Sequence, residues 1–315
     1  VQARESVELR QGGYIVTNSG GAGASGDIEI RTPRFTADGS DAASGQRSRV
    51  ASRALPDSSG RAGRITLVAA DAVLLGPQAL LSIANDAHTP AAEQGDSRIR
   101  VQGGRIVLDG AQITAAAGAA ADAGAIELAS AGAMHLRNAG LHTSAASGRG
   151  GPITLDAGGA LVLRNSLVTT SVLAKDGGDG GDIRITTPAL ALASGFVQAN
   201  TAAARASGGA VTIDAAVLVP DGNHVFVGGT RIAEFRPHAP GHNVIQAAAP
   251  DGVAGRLEVT RPELNLSGSL AALLAQPVDF GLLRPDICDA GTDSSFTILG
   301  RGALPAPASA PLRSR

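Results

Sequence analysis

Apolar side chains recur along most of the chain as pairs separated by one residue, and the pairs recur in threes. One unit carries Ile99/Val101, Ile106/Leu108 and Ile113/Ala115. The next carries Ile126/Leu128, Met134/Leu136 and Leu141/Thr143. Ile153/Leu155, Leu161/Leu163 and Val168/Thr170 follow, and then Ile183/Ile185, Leu190/Leu192 and Val197/Ala199. A spacing of two is the β period, so each pair points to one side of a short strand. The leading positions Ile99, Ile126, Ile153, Ile183 and Val211 are 27, 27, 30 and 28 residues apart. Weaker copies lie upstream at Ile28/Ile30 and at Ile65/Leu67 with Val73/Leu75, and Tyr14-Ile15-Val16-Thr17 reads as the last strand of an earlier unit.

Three short strands closed by Gly-rich corners make one turn of a three-sided coil. A single coil is one strand thick and cannot bury its inward pairs. Stacking sets Ile on Ile and Leu on Leu, and gives every backbone N–H and C=O a partner in the next turn. The pattern therefore predicts an all-β chain folded as a right-handed parallel β-helix, a three-sided solenoid with a small irregular C-terminal cap. At about 4.8 Å per turn, roughly eight turns would make a rod on the order of 40 Å long. The shaft is expected over 1–260, with inserted loops at 38–63 and 224–250 where the period is lost, and with Gly255–Val259 restoring a last coil. Residues 261–304 are expected to form the cap, from a helix started by Ser267 or Ser269 and a strand Phe296–Leu299, and 305–315 a disordered tail.

Composition agrees with a narrow core of small layers. Aromatics are 2% of the residues, Gly numbers 42, and there is one Met, one Cys and no Trp. An ordinary globular core of this length leans on aromatic anchors, whereas here Val, Ile, Leu, Ala and Thr must fill the interior. A net charge of −2, with its basic residues scattered, points away from nucleic acid. Cys288 stands alone, so no internal disulfide framework exists. No run of 18 apolar residues predicts a membrane helix. The start Val1-Gln2-Ala3-Arg4 carries no leader, so the chain is expected to be a carboxy-terminal portion or mature product of a longer exported protein.

Candidate chemistry is sparse. Asp176-Gly177-Gly178-Asp179-Gly180-Gly181-Asp182 has the composition of a calcium-binding turn, but such sites need tandem copies and only one is present. Register predicts the outward residues of the first strand as Glu29, Thr66, Arg100, Glu127, Thr154, Arg184, Thr212 and Glu258. No two acids fall on neighbouring turns of that column, which argues against the paired carboxylates of a glycoside-cleaving site. Histidines 88, 135, 142, 224, 238 and 242 read as surface residues, His238 and His242 lacking a third metal ligand. No catalytic, cofactor or metal residue is assigned, and the chain is not expected to be an enzyme. Leu74, Val107, Val162 and Ala191 form an outward apolar column on the second strand, interrupted by His135. Such a column invites a cover, either 38–63, the tail or a partner protein. Ser82, Thr114, His142, Thr169 and Gln198 make the third strand a plain polar face.

The Gly181-Asp182-Ile183-Arg184-Ile185 strand start and the Asn165-Ser166 corner resemble those of filamentous-haemagglutinin-like exoproteins, the cargo of bacterial two-partner secretion. The ending carries the resemblance further, through Asn265-Leu266-Ser267-Gly268-Ser269-Leu270, Leu283-Arg284-Pro285-Asp286-Ile287-Cys288 and Ser294–Pro305. It covers roughly residues 5–305 and implies a β-helical shaft exported through an outer-membrane transporter and displayed at, or released from, the bacterial surface. The amino-terminal secretion module of that family is not among these residues. The expected function is structural or adhesive, with a receptor on a host or neighbouring cell. The rival class is a β-helical polysaccharide lyase or hydrolase.

Overall fold

The structure, a computed structural model, describes residues 1–87, 97–118, 121–172 and 177–260. They fall within one compact unit, Val1–Pro262, while Glu263–Arg315 form a second unit that lies outside the described residues together with the expected cap and tail. Every pairing between the named strands is parallel, and the strands stack as a β-solenoid. No helix among the described residues is long and apolar enough to cross a membrane.

The inward ladders follow the expected register. On the first face Ile28, Ile65, Ile99, Ile126, Ile153, Ile183, Val211 and Leu257 pair in succession. The second face stacks Ile106, Met134, Leu161 and Leu190, and the third stacks Ile113, Leu141, Val168, Val197 and Ile245. Nearly all of these side chains are buried in one continuous core. Each aliphatic residue so removed from water stabilises the stack by about 1.5–3 kcal/mol. First and second faces are often one bent strand, as in Ile65–Leu75, and Ile183–Thr201 continues through the third face as well.

The corners explain the polar part of the repeat. Between second and third faces the middle turns each carry one residue with a left-handed backbone, namely Gln78, Gly110, Asn138, Asn165 and Ser194. Asn tolerates that conformation better than most residues, and Asn165 Nδ2 donates to Asn138 Oδ1 of the preceding turn at 3.3 Å. Between third and first faces, glycines stack. A Cβ on Gly63, Gly151, Gly181, Gly209 or Gly255 would overlap the carbonyl oxygen of the glycine one turn earlier. An aspartate at this corner, after the glycine as Asp27 and Asp182 or before it as Asp122, receives a backbone N–H from the next turn. Asp27 accepts from Arg64, Asp122 from Arg149 and Asp182 from Ala210, at 2.7–2.8 Å. The Gly-Asp-Ile start is thus a device for closing one turn onto the next.

Two expected insertions are corrected. The stretch 38–63 is not an excursion, because Arg49–Ala54 is a third-face strand paired between Tyr14–Ser19 and Leu80–Asn85. Its inward row is Val50, Ser52 and Ala54, so hydroxyl bonding replaces aliphatic bulk. Ser52 Oγ meets Thr17, Ser25 and the Gly63 amide within 2.6–3.2 Å. The excursion expected at 224–250 is shorter than its proposed bounds. Val244–Gln246 rejoins the third face against Phe196–Gln198, and on its other side pairs with Phe226–Val227. The segment between, 228–243, lies across the third face.

That segment is fastened at several points. Gln198 Nε2 donates to the Ala233 carbonyl and Ser194 Oγ to that of Ala239, both at 2.8 Å. The Phe196 ring, outward-pointing yet fully buried, meets Phe235 and His242 edge to face at 5.0 and 4.9 Å. Phe196→Ala should therefore free the segment while leaving the shaft standing. Removing a buried Phe costs about 3–5 kcal/mol, so tryptic cutting after Arg231 should accelerate roughly tenfold or more. Unchanged cutting, followed by mass spectrometry, would show that the ring does not hold the segment.

Candidate functional site

The outer columns place the residues singled out by sequence. The first-face column runs Glu29, Thr66, Arg100, Glu127, Thr154, Arg184, Thr212, Glu258, as expected. Glu127 is held by Arg100 Nε at 2.8 Å and by Arg98 at 3.5 Å, and its other neighbour in the column is Thr154. Its carboxylate is thus ion-paired, and no second acid on an adjacent turn of this column shares a proton with it. The second-face column aligns Leu74, Val107, His135, Val162, Ala191 and Val219. Leu74, Val107, Val162 and Ala191 are half-buried, whereas His135 is exposed and Val219 is 55% exposed. The 38–63 stretch is built into the stack and does not serve as its cover. Beside this column Arg137 forms an ion pair with Asp109 that holds the Asp109 carboxyl below its ordinary range.

In the Asp176–Asp182 corner, Asp176 lies outside the described residues. Asp179 accepts the Ser207 amide at 2.7 Å and Asp182 the Ala210 amide at 2.8 Å, so both join adjacent turns. Among the described residues no group of three or more His, Cys, Asp or Glu is placed to hold a metal ion. His88, Lys175 and Cys288 lie outside the described residues.

The surface reading holds for His135, His224 and His238, which are exposed, whereas His142 and His242 are half-buried. His135 is exposed on the second face, and His142 is half-buried on the third between Thr114 and Thr169. Burial pushes the His142 imidazole below its ordinary pKa, so it is neutral at neutral pH. Its ring folds back along its own strand into the space that a side chain at Gly140 would fill. Neither ring nitrogen has a hydrogen-bond partner among the described residues. His142 lines a cavity of about 440 Å³ between the third face and the 228–243 segment, shared with Asn138, Asn165, Leu167, Phe235 and His238. The His238 amide donates to Asn165 Oδ1 at 3.0 Å, and Asn165 Nδ2 lies 3.0 Å from His238 Nδ1. Sequence reasoning missed this cavity. Its legible traces were Asn138 and Asn165 at a 27-residue spacing and the small Gly140 two places before His142.

Stacked parallel turns with a continuous aliphatic core define the chain as a repeat protein of the parallel β-helix class. Compared with family models, curated proteins and solved structures, it finds no match.

Proposed function

We propose that this chain belongs to a secreted, surface-exposed structural rod of the filamentous-haemagglutinin-like kind, exported by two-partner secretion and mediating adhesion or aggregation. The observation that carries this reading is the division of labour between a uniform shaft and its projections. The inward ladders and corner glycines serve stacking alone, while the outer columns hold isolated ion pairs, small polar residues and one apolar column. Such a surface suits contact with another macromolecule more than bond cleavage, which needs gathered acids or bases. The tail sequences at 265–305 support the family assignment. The partners are an outer-membrane transporter and a receptor on a host or neighbouring cell, and the location is the bacterial surface or the medium.

Beads coated with the full chain should bind cells or one another, and the chain should leave a panel of acidic and neutral polysaccharides uncut. Appearance of shortened saccharides would replace the adhesive reading with the β-helical lyase or hydrolase. Val107→Asp together with Val162→Asp puts charge on the apolar column. Bead adhesion or aggregation should then fall severalfold, because burying each carboxylate at a contact costs several kcal/mol. Adhesion at the wild-type level would exclude the column as the contact surface.

A further inference from the structure

We propose that the cavity between the third face and the 228–243 segment is a binding site for a neutral carbohydrate. The inference deepens the adhesive reading and rests on it for its biological role, though the binding itself is a property of the isolated chain. Its volume, about 440 Å³, falls within the range of small-molecule sites.

The chemistry of the lining selects the ligand. Amides, imidazoles, aliphatic side chains and a phenyl ring surround the space, and no Asp, Glu, Lys or Arg side chain lines it. An anionic or cationic ligand would find no carboxylate, ammonium or guanidinium there to offset the hydration it gives up on contact. A purely apolar ligand would leave the amides and imidazoles without partners. A sugar ring has both hydroxyl groups, which donate and accept, and an apolar C–H face.

The hydrogen-bonding roles can be assigned. Because the His238 amide donates to Asn165 Oδ1, the neighbouring Asn165 atom is the NH₂. That group can only donate, so His238 Nδ1 is the acceptor. His142, neutral and unpartnered, supplies one donor and one acceptor. The Phe235 ring is fixed by its edge contact with buried Phe196, so an apolar wall stands ready for the C–H face. Arg47, near the Gln112 edge, is already occupied by the Gln78 and Ala79 carbonyls and by Gln112 Oε1.

The test uses the full chain on an array of neutral, sialylated and sulfated oligosaccharides, with the strongest neutral binder then titrated calorimetrically. Leu167→Trp fills the cavity, and His142→Phe keeps the ring while removing both nitrogens. Each should weaken binding at least about tenfold, the equivalent of one or two lost hydrogen bonds. In the wild-type chain the bound saccharide should also protect His142 from acylation by diethyl pyrocarbonate, a readout independent of how well a variant folds. A blank array for neutral glycans, selective capture of acidic ones, equal binding by the variants, or unprotected His142 would overturn the proposal. If coated beads adhere while the array stays blank, the cavity assignment falls and the adhesive reading stands.

Discussion

Gly181→Ala is expected to be among the most damaging single-atom additions the shaft can receive. The new methyl would overlap the Gly151 carbonyl oxygen of the turn below, while the Gly181 carbonyl itself stands where a Cβ on Gly209 would fall. Every atom the methyl would meet is backbone of the preceding turn, so no side chain can swing away to make room. Relief requires these two turns to separate, which lengthens ladder hydrogen bonds such as Ile153 N–H to the Asp182 carbonyl, 2.8 Å in the native stack. Overpacking of this kind costs about 3 kcal/mol. Urea unfolding followed by β-sheet circular dichroism should show a clearly lowered midpoint. Gly21→Ala is the internal control, since a Cβ there meets nothing within 4 Å and its effect should stay within about 0.5 kcal/mol. Equal midpoints for the two variants would rule out a steric glycine column.

Ile153→Ala should be comparably severe for the opposite reason. Ile153 is fully buried between Ile126 and Ile183, and its replacement opens a cavity bounded by turns that are pinned in register. Large-to-small changes of this type cost about 4 kcal/mol where the walls cannot collapse. Because each turn contacts only its neighbours, the loss falls on two interfaces and divides the cooperative unit. Hydrogen exchange should then show weakened protection for the turns around 126–185, with the turns near 65–109 retaining theirs. Uniform loss along the shaft, or none, would contradict nearest-neighbour stability.

The architecture was legible because its signal is redundant. Ile126, Ile153 and Ile183 repeat both the two-residue period of a strand and the near-constant length of a turn. The strand Arg49–Ala54 was misread as loop because its inward row holds a single large aliphatic, Val50, and its remaining stability comes from hydroxyl bonds that sequence periodicity does not display. The excursion was located, but its return was not. Val244–Gln246 enters the third face between strands that precede it in the chain, an order no local pattern announces. The cavity was hidden for a similar reason. Asn165 and His238 are 73 residues apart, and their contact depends on where the intervening segment lands.

That out-of-order strand sets a condition on assembly. Stacking that advances turn by turn from the amino-terminal side can zip without interruption as far as Phe196–Gln198, since each new strand lands directly on the last. Phe226–Val227 reaches the same face next but has no resting place there until Val244–Gln246 arrives beneath it. The chain must therefore hold about twenty residues aside and close them in one step. In a polypeptide that emerges vectorially, growth of the stack halts at this position until the loop has been delivered, so the join acts as a checkpoint in an otherwise self-templating solenoid.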